Sequence, residues 1–199
     1  LAVKKNLWAL EYVPEHLITD ELFKIAVQSN IAENWKALTC IPEHLRTKKM
    51  CELAIQQSGW ALSEVPRQHK TIEMCLEAVK QNGLALYYVN YKDQTIEMCL
   101  EAVKQNGDAL KYVPAYLKTP ELCELAIKQD GRALSEVPVR LRTKKICELA
   151  VQQNEWVWSL SYVPEYLKIP KLGEIAVKSN GKALGLVPYV LRTKKMCKI

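Results

Sequence analysis

The chain has 199 residues, of which 49% are hydrophobic and 25% charged, and this composition excludes a disordered chain because it supplies enough apolar surface for a core. No run approaches the 18 or more apolar residues of a membrane-spanning helix. Lys and Arg number 28 against 22 Asp and Glu, and the net charge of +6 permits an acidic partner without requiring one.

A repeat organises the sequence from end to end. The letters TIEMCLEAVKQNG occur at 71–83 and again at 95–107. The interval between successive repeat openings is 24 residues except at two places, where it is 28 and 26. The openings are Thr19, Thr47, Thr71, Thr95, Thr119, Thr143, Ile169 and Thr193. Because a unit this short cannot bury its own apolar face, the pattern predicts units that stack on one another.

We therefore predict a single helical-repeat array over residues 1–199. Its complete repeats are 19–46, 47–70, 71–94, 95–118, 119–142, 143–168 and 169–192, with partial repeats at 1–18 and 193–199. Neither end shows the polar capping layer that stacked repeats need. We expect the chain to be a fragment of a longer protein, or to have flanking domains that cover its ends.

The first element of each repeat is predicted to be an α-helix, as residues 119–142 illustrate. Thr119 is a good N-cap, Pro120 suits the first helical position, and the Glu121 carboxylate complements the helix dipole. One helical face collects Leu122, Cys123, Ala126 and Ile127. Gly131 is expected to end the helix in a left-handed conformation, so the helix covers about 120–130.

A second, shorter helix follows directly in the same repeat. Its apolar side consists of Ala133, Leu134 and Val137, and Pro138 ends it because proline disfavours helix in the residue before it. Residues 138–141 then form one further turn of 3₁₀ type. The sequence thus predicts an all-α solenoid, elongated and curved, in which each repeat has one helix of roughly 11 residues and one short helix or 3₁₀ turn.

Six of the seven cysteines occupy one repeated position. They are Cys51, Cys75, Cys99, Cys123, Cys147 and Cys197. Neighbouring helices pack roughly 8–10 Å apart, whereas a disulfide needs Cα atoms within roughly 7 Å. We expect reduced, small core residues and therefore a reducing compartment such as the cytoplasm.

The phrases EAVKQNGDALKYVP, ELCELAIKQDGRAL and VPEYLK resemble the repeat family catalogued as domain of unknown function 4116. The resemblance implies an α-helical repeat protein, and it brings no catalytic residue with it. Such repeats occur in intracellular bacteria, including candidate secreted effectors, and in protists and large viruses, which implies the host cytosol if this chain is an effector. A weaker resemblance is to the leucine-rich variant repeat, which alternates an α-helix with a 3₁₀-helix.

Catalytic and metal-binding patterns do not stand out. His16 and His44 lie in matching PEHL turns and are expected to be exposed repeat positions. Cys40 and His44 are four residues apart, but no second ligand pair follows at metal spacing. We predict no catalytic, cofactor-binding or metal-binding residue, no cofactor, and no enzyme activity.

Basic residues gather at three RTKK stretches where helices begin. Lys in a first turn opposes the helix dipole, and free N–H groups there attract anions. The candidate anion-binding residues are Arg46, Lys48, Lys49, Arg142, Lys144 and Lys145. Four layers, roughly 40 Å, separate the first two stretches, against a Debye length of about 8 Å, so they form no continuous basic track. The alternative is solvated surface lysine.

Aromatic residues are the second set of candidates. Insertions at 29–38 and 153–163 share one turn of the repeat and bring three of the five Trp. The candidate partner-binding residues are Trp35, Trp156, Trp158, Trp60, Tyr88 and Tyr112. Exposed Trp is typical of interfaces. Two alternatives remain, namely an unconstrained solvent face and an insertion that buries Trp156 or Trp158 in the core.

The predicted function is a non-catalytic protein-interaction or scaffold module, the recognition part of a larger bacterial effector. One alternative is binding of nucleic acid or anionic lipid through the basic helix N-termini. Another is an accessory region of a larger enzyme. Self-association through exposed repeat ends is a further expectation, and the sequence does not identify the protein partner.

Overall fold

The structure is a computed structural model that describes residues 2–28, 34–153 and 157–199, with the side chains of residues 34, 35 and 157 left aside. These ranges contain helices and turns and no β-strand. The α-helices are α1 (Ala2–Lys5), α2 (Asp20–Val27), α3 (Lys48–Gln57), α4 (Ile72–Gln81), α5 (Ile96–Gln105), α6 (Pro120–Gln129), α7 (Lys144–Gln152) and α8 (Pro170–Ser179). The predicted all-α repeat architecture is confirmed.

Each α-helix is followed by a longer 3₁₀-helix and, in most repeats, by a second 3₁₀-helix of three residues. The longer ones are Leu7–Tyr12, Asn34–Cys40, Gly59–Glu64, Gly83–Tyr88, Gly107–Tyr112, Gly131–Glu136, Val157–Tyr162 and Gly181–Leu186. The shorter ones are Glu15–Leu17, Glu43–Leu45, Arg67–His69, Tyr91–Asp93, Val139–Leu141, Glu165–Leu167 and Tyr189–Leu191, with a final 3₁₀-helix at Met196–Lys198. The chain divides into two compact units, Leu1–Gln94 and Thr95–Ile199, and each is a stack of such repeats.

The α-helices begin where the sequence predicts. The Thr71 side chain accepts a hydrogen bond from the Met74 N–H at 3.2 Å, which satisfies one of the free donors of the first turn. The same cap is formed by Thr19, Thr47, Thr95, Thr119, Thr143 and Thr193. Ile169 has no side-chain cap, and there α8 begins with Pro170 at the first position, which needs no donor partner.

The second element of the repeat is a 3₁₀-helix, as the residues after α5 illustrate. One residue is both the C-cap of α5 and the N-cap of the next element. Asn106 ends α5 in an extended conformation, and its side chain accepts a hydrogen bond from the Asp108 N–H at 3.0 Å. The Gly107–Tyr112 segment then has only six residues before Val113 and Pro114, too few for a stable run of α-helical bonds. The sequence predicts either a short helix or a 3₁₀ turn as the second element, and the structure shows a 3₁₀-helix.

The prediction that a glycine in left-handed conformation ends the α-helix is wrong. Within the ranges that the structure covers, no residue has a positive φ, and α6 ends at Asp130 with φ −149°. The glycine opens the 3₁₀-helix, where the backbone runs against the neighbouring repeat. A Cβ built on Gly107 would lie 2.7 Å from the Ala126 carbonyl oxygen, so close approach and not conformational freedom explains Gly at this position.

The core follows the predicted faces. In residues 119–142 the side chains of Leu122, Cys123, Ala126, Ile127, Ala133, Leu134 and Val137 are all buried. All seven cysteines are free thiols; Cys197 is exposed, whereas the other five at the repeated position are buried. In α8 the equivalent residue is Gly173, and a Cβ there would lie 2.9 Å from the Met196 methyl carbon, which fills the space.

In several repeats a basic residue just before the capping threonine bonds to the following repeat. The Lys118 Nζ donates to the Glu136 carbonyl at 2.7 Å and the Lys70 Nζ to the Tyr88 carbonyl at 3.2 Å, in each case at the end of the following 3₁₀-helix. We call these bonds the inter-repeat staples. Carbonyls at a helix C-terminus attract cations, and the bonds satisfy acceptors that the short helix leaves free.

The helices described above have at most 10 residues. None of them is both long and apolar enough to cross a bilayer.

Candidate functional site

Three aromatic side chains meet on the 3₁₀ layer of the first unit. The Trp60 and Tyr88 rings are 6.4 Å apart between centroids at an interplanar angle of 75°, and the Tyr87 and Tyr88 rings are 5.0 Å apart at 76°. Both are edge-to-face arrangements, which aromatic pairs prefer. Trp60 and Tyr88 were predicted separately, and the structure brings them together. We call Trp60, Tyr87 and Tyr88 the aromatic cluster.

Neighbouring repeats hold the aromatic cluster in place. Trp60 lies on the Gly59–Glu64 helix and the two Tyr lie on Gly83–Tyr88. Below them Leu62 and Leu86 are fully buried. The Lys70 staple binds the Tyr88 carbonyl, so the backbone that carries the cluster is tied to the preceding repeat. The buried Leu62 and Leu86 and the Lys70 hydrogen bond therefore hold the backbone of the exposed aromatic cluster in place.

The aromatic cluster is open to solvent. Trp60 is 37% exposed and Tyr87 63% exposed, while Tyr88 is half-buried between them. Trp and Tyr that keep part of their surface exposed are the residues most enriched among energetically dominant interface contacts. Sequence reasoning missed Tyr87, because the same position holds Ser63, Lys111 or Ser135 in other repeats. The doubled Tyr at 87–88 was the available signal.

The charge around the aromatic cluster is balanced. Residues 1–94 carry 11 Lys and Arg and 11 Asp and Glu. The Glu64 carboxylate, on the same 3₁₀-helix as Trp60, accepts a hydrogen bond from the Ser63 hydroxyl at 3.0 Å and lies 3.8 Å from the Arg46 guanidinium. The cluster is therefore suited to apolar and hydrogen-bonding contact more than to capture of a strongly charged ligand.

The remaining predicted aromatic residues lie elsewhere. Tyr112 belongs to the second unit, where the Lys111 Nζ stands 4.9 Å from its ring centroid in a cation–π contact. Trp158 is 55% exposed, so it is not the residue that the second insertion would bury in the core. The Trp35 side chain and Trp156 lie outside the described residues.

Two of the predicted anion-binding residues are inter-repeat staples. Arg46 donates from Nε to the Ile41 carbonyl at 2.9 Å and from a terminal nitrogen to the Glu64 carbonyl at 2.7 Å. Arg142 bonds in the same way to the carbonyls of Val137 at 2.8 Å and Tyr162 at 2.7 Å. These bonds occupy donors that an anion would need. Anion binding by Arg46 and Arg142 stays a prediction.

The predicted lysines differ in their surroundings. Lys48 lies 3.9 Å from Glu52 and lines a groove of about 370 Å³ that Glu73 and Glu77 also line. Lys145 pairs with Glu124 at 2.8 Å. Lys49 and Lys144 are exposed, and neither forms an ion pair with a residue that the structure describes. Of the six basic candidates, these two are the freest to meet a ligand.

Comparison with known proteins identifies a family. Residues 71–118 and 119–168 each match the family model named Domain of unknown function (DUF4116). Each match covers two of the repeats predicted from the sequence, and both matches begin at a capping threonine. No curated protein and no solved structure matches the chain.

Proposed function

Residues 71–168 belong to the DUF4116 family, and from this premise we propose that the chain is a non-catalytic protein-interaction module. The observation that carries the proposal is the aromatic cluster of Trp60, Tyr87 and Tyr88, which is exposed on a rigid repeat framework. Rigid aromatic side chains give a large contact area and lose little conformational entropy on binding.

The separation of fixed and variable positions supports the same proposal. The Ala-Leu pair of the 3₁₀-helix is buried in repeat after repeat, as at Ala61-Leu62 and Ala85-Leu86. The position just before this pair changes freely among Trp60, Leu84 and Asp108. In repeat proteins the stacked interior supplies stability and the outer positions supply recognition. We place the module in a larger protein, as the recognition part of an effector, and in a reducing compartment that keeps its buried thiols free.

The test is affinity capture with the aromatic cluster removed. Trp60→Ala/Tyr87→Ala is expected to lose the proteins that the immobilised wild type captures, with helicity unchanged and a lower unfolding midpoint, because Trp60 is 37% exposed and packs on Tyr88. The matched control is Tyr12→Ala, which removes an exposed Tyr from a 3₁₀-helix of the same unit. The proposal fails if the double variant captures the same proteins as the wild type. Capture should also persist at about 0.5 M salt, where charge-driven association collapses.

A further inference from the structure

The short turns of the second unit carry a row of protruding apolar side chains. These turns are residues 115–117, Val139–Leu141, Glu165–Leu167 and Tyr189–Leu191. Their exposed apolar members, which we call the turn ridge, are Tyr116, Val139, Tyr166, Tyr189 and Val190. Tyr189 is 83% and Val190 88% exposed, so the surrounding chain hardly covers them.

The fold does not require apolar residues at the turn ridge. In the first unit three of the four turns hold polar residues at the same two positions, namely Glu15 and His16, Glu43 and His44, and Arg67 and Gln68, and the fourth holds Tyr91 and Lys92; all are exposed. Those turns form the same three-residue 3₁₀-helices as the turns of the second unit. Apolar side chains that stay largely exposed to water in successive repeats indicate a contact surface.

Positive charge accompanies the turn ridge. The segments that contain the turns and the following helix starts, 115–121, 139–145, 165–171 and 189–195, hold ten Lys and Arg and two Asp and Glu. The equivalent segments of the first unit, 15–21, 43–49 and 67–73, hold five of each sign. The whole net charge of +6 lies in residues 95–199, which carry 17 Lys and Arg against 11 Asp and Glu.

Part of this charge is unsatisfied within the second unit. Lys118, Arg142 and Arg192 donate to backbone carbonyls, and Lys145, Lys168 and Lys195 pair with carboxylates. Arg140 also donates to a backbone carbonyl. Lys144, Lys171 and Lys194 are exposed and form no ion pair with any residue in the covered ranges. Each of the last three turns therefore combines an apolar tip with at least one free cation.

The distance between neighbouring turns, each with an apolar tip and a free cation, indicates the kind of partner that could bind them. The first two of these turns are in contact, since Arg140 donates to the Ala115 carbonyl at 3.2 Å. Helices in adjacent repeats pack roughly 8–10 Å apart, and an extended peptide advances about 3.3 Å per residue, so about three residues span one repeat. A nucleic-acid strand carries a phosphate about every 3.4 Å, several for each free cation. Charge and spacing favour a peptide with sparse carboxylates.

We propose that the turn ridge of residues 95–199 binds an extended acidic peptide segment of a protein partner, with about one carboxylate and one apolar side chain in every three residues. The carboxylates meet Lys144, Lys171 and Lys194, and the apolar side chains meet Val139, Tyr166 and the Tyr189–Val190 tip. This surface shares no residue with the aromatic cluster, so either proposal can fail while the other stands.

Fluorescence anisotropy with labelled peptides tests the turn ridge directly. The probe is a peptide of four Glu-Leu-Ser triplets, and the comparison peptide replaces each Glu by Gln. The Glu peptide should bind the wild type, and the Gln peptide should bind at least about tenfold more weakly. Lys144→Gln/Lys171→Gln/Lys194→Gln and Tyr166→Ser/Val190→Ser should each weaken binding of the Glu peptide by about tenfold, with unchanged circular dichroism.

The matched controls come from the first unit. Tyr91→Ser and Lys92→Gln change the equivalent exposed turn there and should leave the affinity for the Glu peptide unchanged. The proposal is overturned if the Glu peptide does not bind at about 1 mM, or if the Gln peptide binds equally well. It is also overturned if phosphatidylserine-containing vesicles or oligouridine bind more tightly than the Glu peptide and respond to the same variants.

Discussion

The repeats 71–94 and 95–118 begin with the same thirteen letters, one in each compact unit, and then diverge. The shared letters give the same structure twice, since α4 and α5 have equal length and equal threonine caps. After them the buried pairs Ala85-Leu86 and Ala109-Leu110 are identical. The exposed or half-buried positions change from Leu84, Tyr87 and Tyr91 to Asp108, Lys111 and Ala115. Packing holds the interior constant, and only the surface distinguishes the two copies.

The same contrast extends to the units as wholes. Residues 1–94 have no net charge and carry the aromatic cluster, whereas residues 95–199 carry a net charge of +6 and the turn ridge. A common framework with two different surfaces is consistent with two different contacts. If the framework is truly common, matched changes inside the two units should have equal effects, and changes on their surfaces should not.

The largest expected effect comes from the glycine that opens the 3₁₀-helix. Gly59→Ala in the first unit and Gly107→Ala in the second each place a Cβ against a carbonyl of the next repeat, that of Ala78 or Ala126. Backbone cannot move aside as a flexible side chain can, so we expect each variant to lose about 1–3 kcal/mol in the free energy of unfolding. Urea unfolding measures the loss.

The control for these variants is Gly185→Ala, because a Cβ at Gly185 meets no atom within 4 Å. It should leave stability unchanged or raise it by up to about 1 kcal/mol through the entropy of the unfolded chain. A large loss at only one of Gly59 and Gly107 would break the comparison, since it would show that the two units do not pack alike.

The buried thiols give a second effect, visible in alkali. Burial raises the pKa of Cys51, Cys99, Cys123 and Cys147 to about 11 from an ordinary value of 9.0, and raises that of Cys75 in the same direction. The unfolded chain therefore releases these protons first. The folded state binds more protons between about pH 9 and 11, so stability falls as the pH rises through this window. At pH 10 we expect a loss of about 1 kcal/mol per thiol.

Urea unfolding at pH 8 and pH 10 measures the thiol effect. Cys51→Ala and Cys99→Ala, one from each unit, should each reduce the difference in unfolding free energy between the two pH values by about 1 kcal/mol. The control is Cys197→Ala, whose thiol is exposed and which should keep the pH dependence of the wild type. Equal pH dependence in all three variants would contradict a desolvated thiol position.

The sequence sufficed for the framework and fell short at contacts between repeats. Thr caps, the apolar face and the Pro stop act within a few residues, so the start of α6 and the buried Leu122 and Leu134 could be predicted. The role of the glycine that opens the 3₁₀-helix was mistaken because the reason for glycine at Gly59 and Gly107 lies in the adjacent repeat. The carbonyl partners of Arg46 and Arg142 could not be predicted for the same reason, since they lie 18 and 20 residues away.

The inter-repeat staples give the smallest effect and the sharpest comparison. Lys70→Met and Lys118→Met each leave a carbonyl, of Tyr88 or Glu136, without its lysine donor, and we expect each to cost about 1 kcal/mol in urea unfolding. Burial lowers the pKa of both lysines, because it disfavours the charged form. The folded state then holds these protons less tightly than the unfolded state does, so each lysine makes stability rise with pH toward the ordinary pKa of 10.5.

The rise of stability with pH that each lysine causes is opposite in sign to the effect of the thiols. Each Met variant should lack the contribution of its own lysine. The surface controls are Lys92→Met in the first unit and Lys178→Met in the second, both exposed, and neither should change stability by more than about 0.5 kcal/mol. Only Lys70 holds the backbone of the aromatic cluster, through the Tyr88 carbonyl. We therefore expect both Met variants to lose the same stability, and only Lys70→Met to lose partner capture. This result would show that the two units share one framework and differ in their surfaces. Loss of capture in both Met variants would mean that the two units act on the partner together.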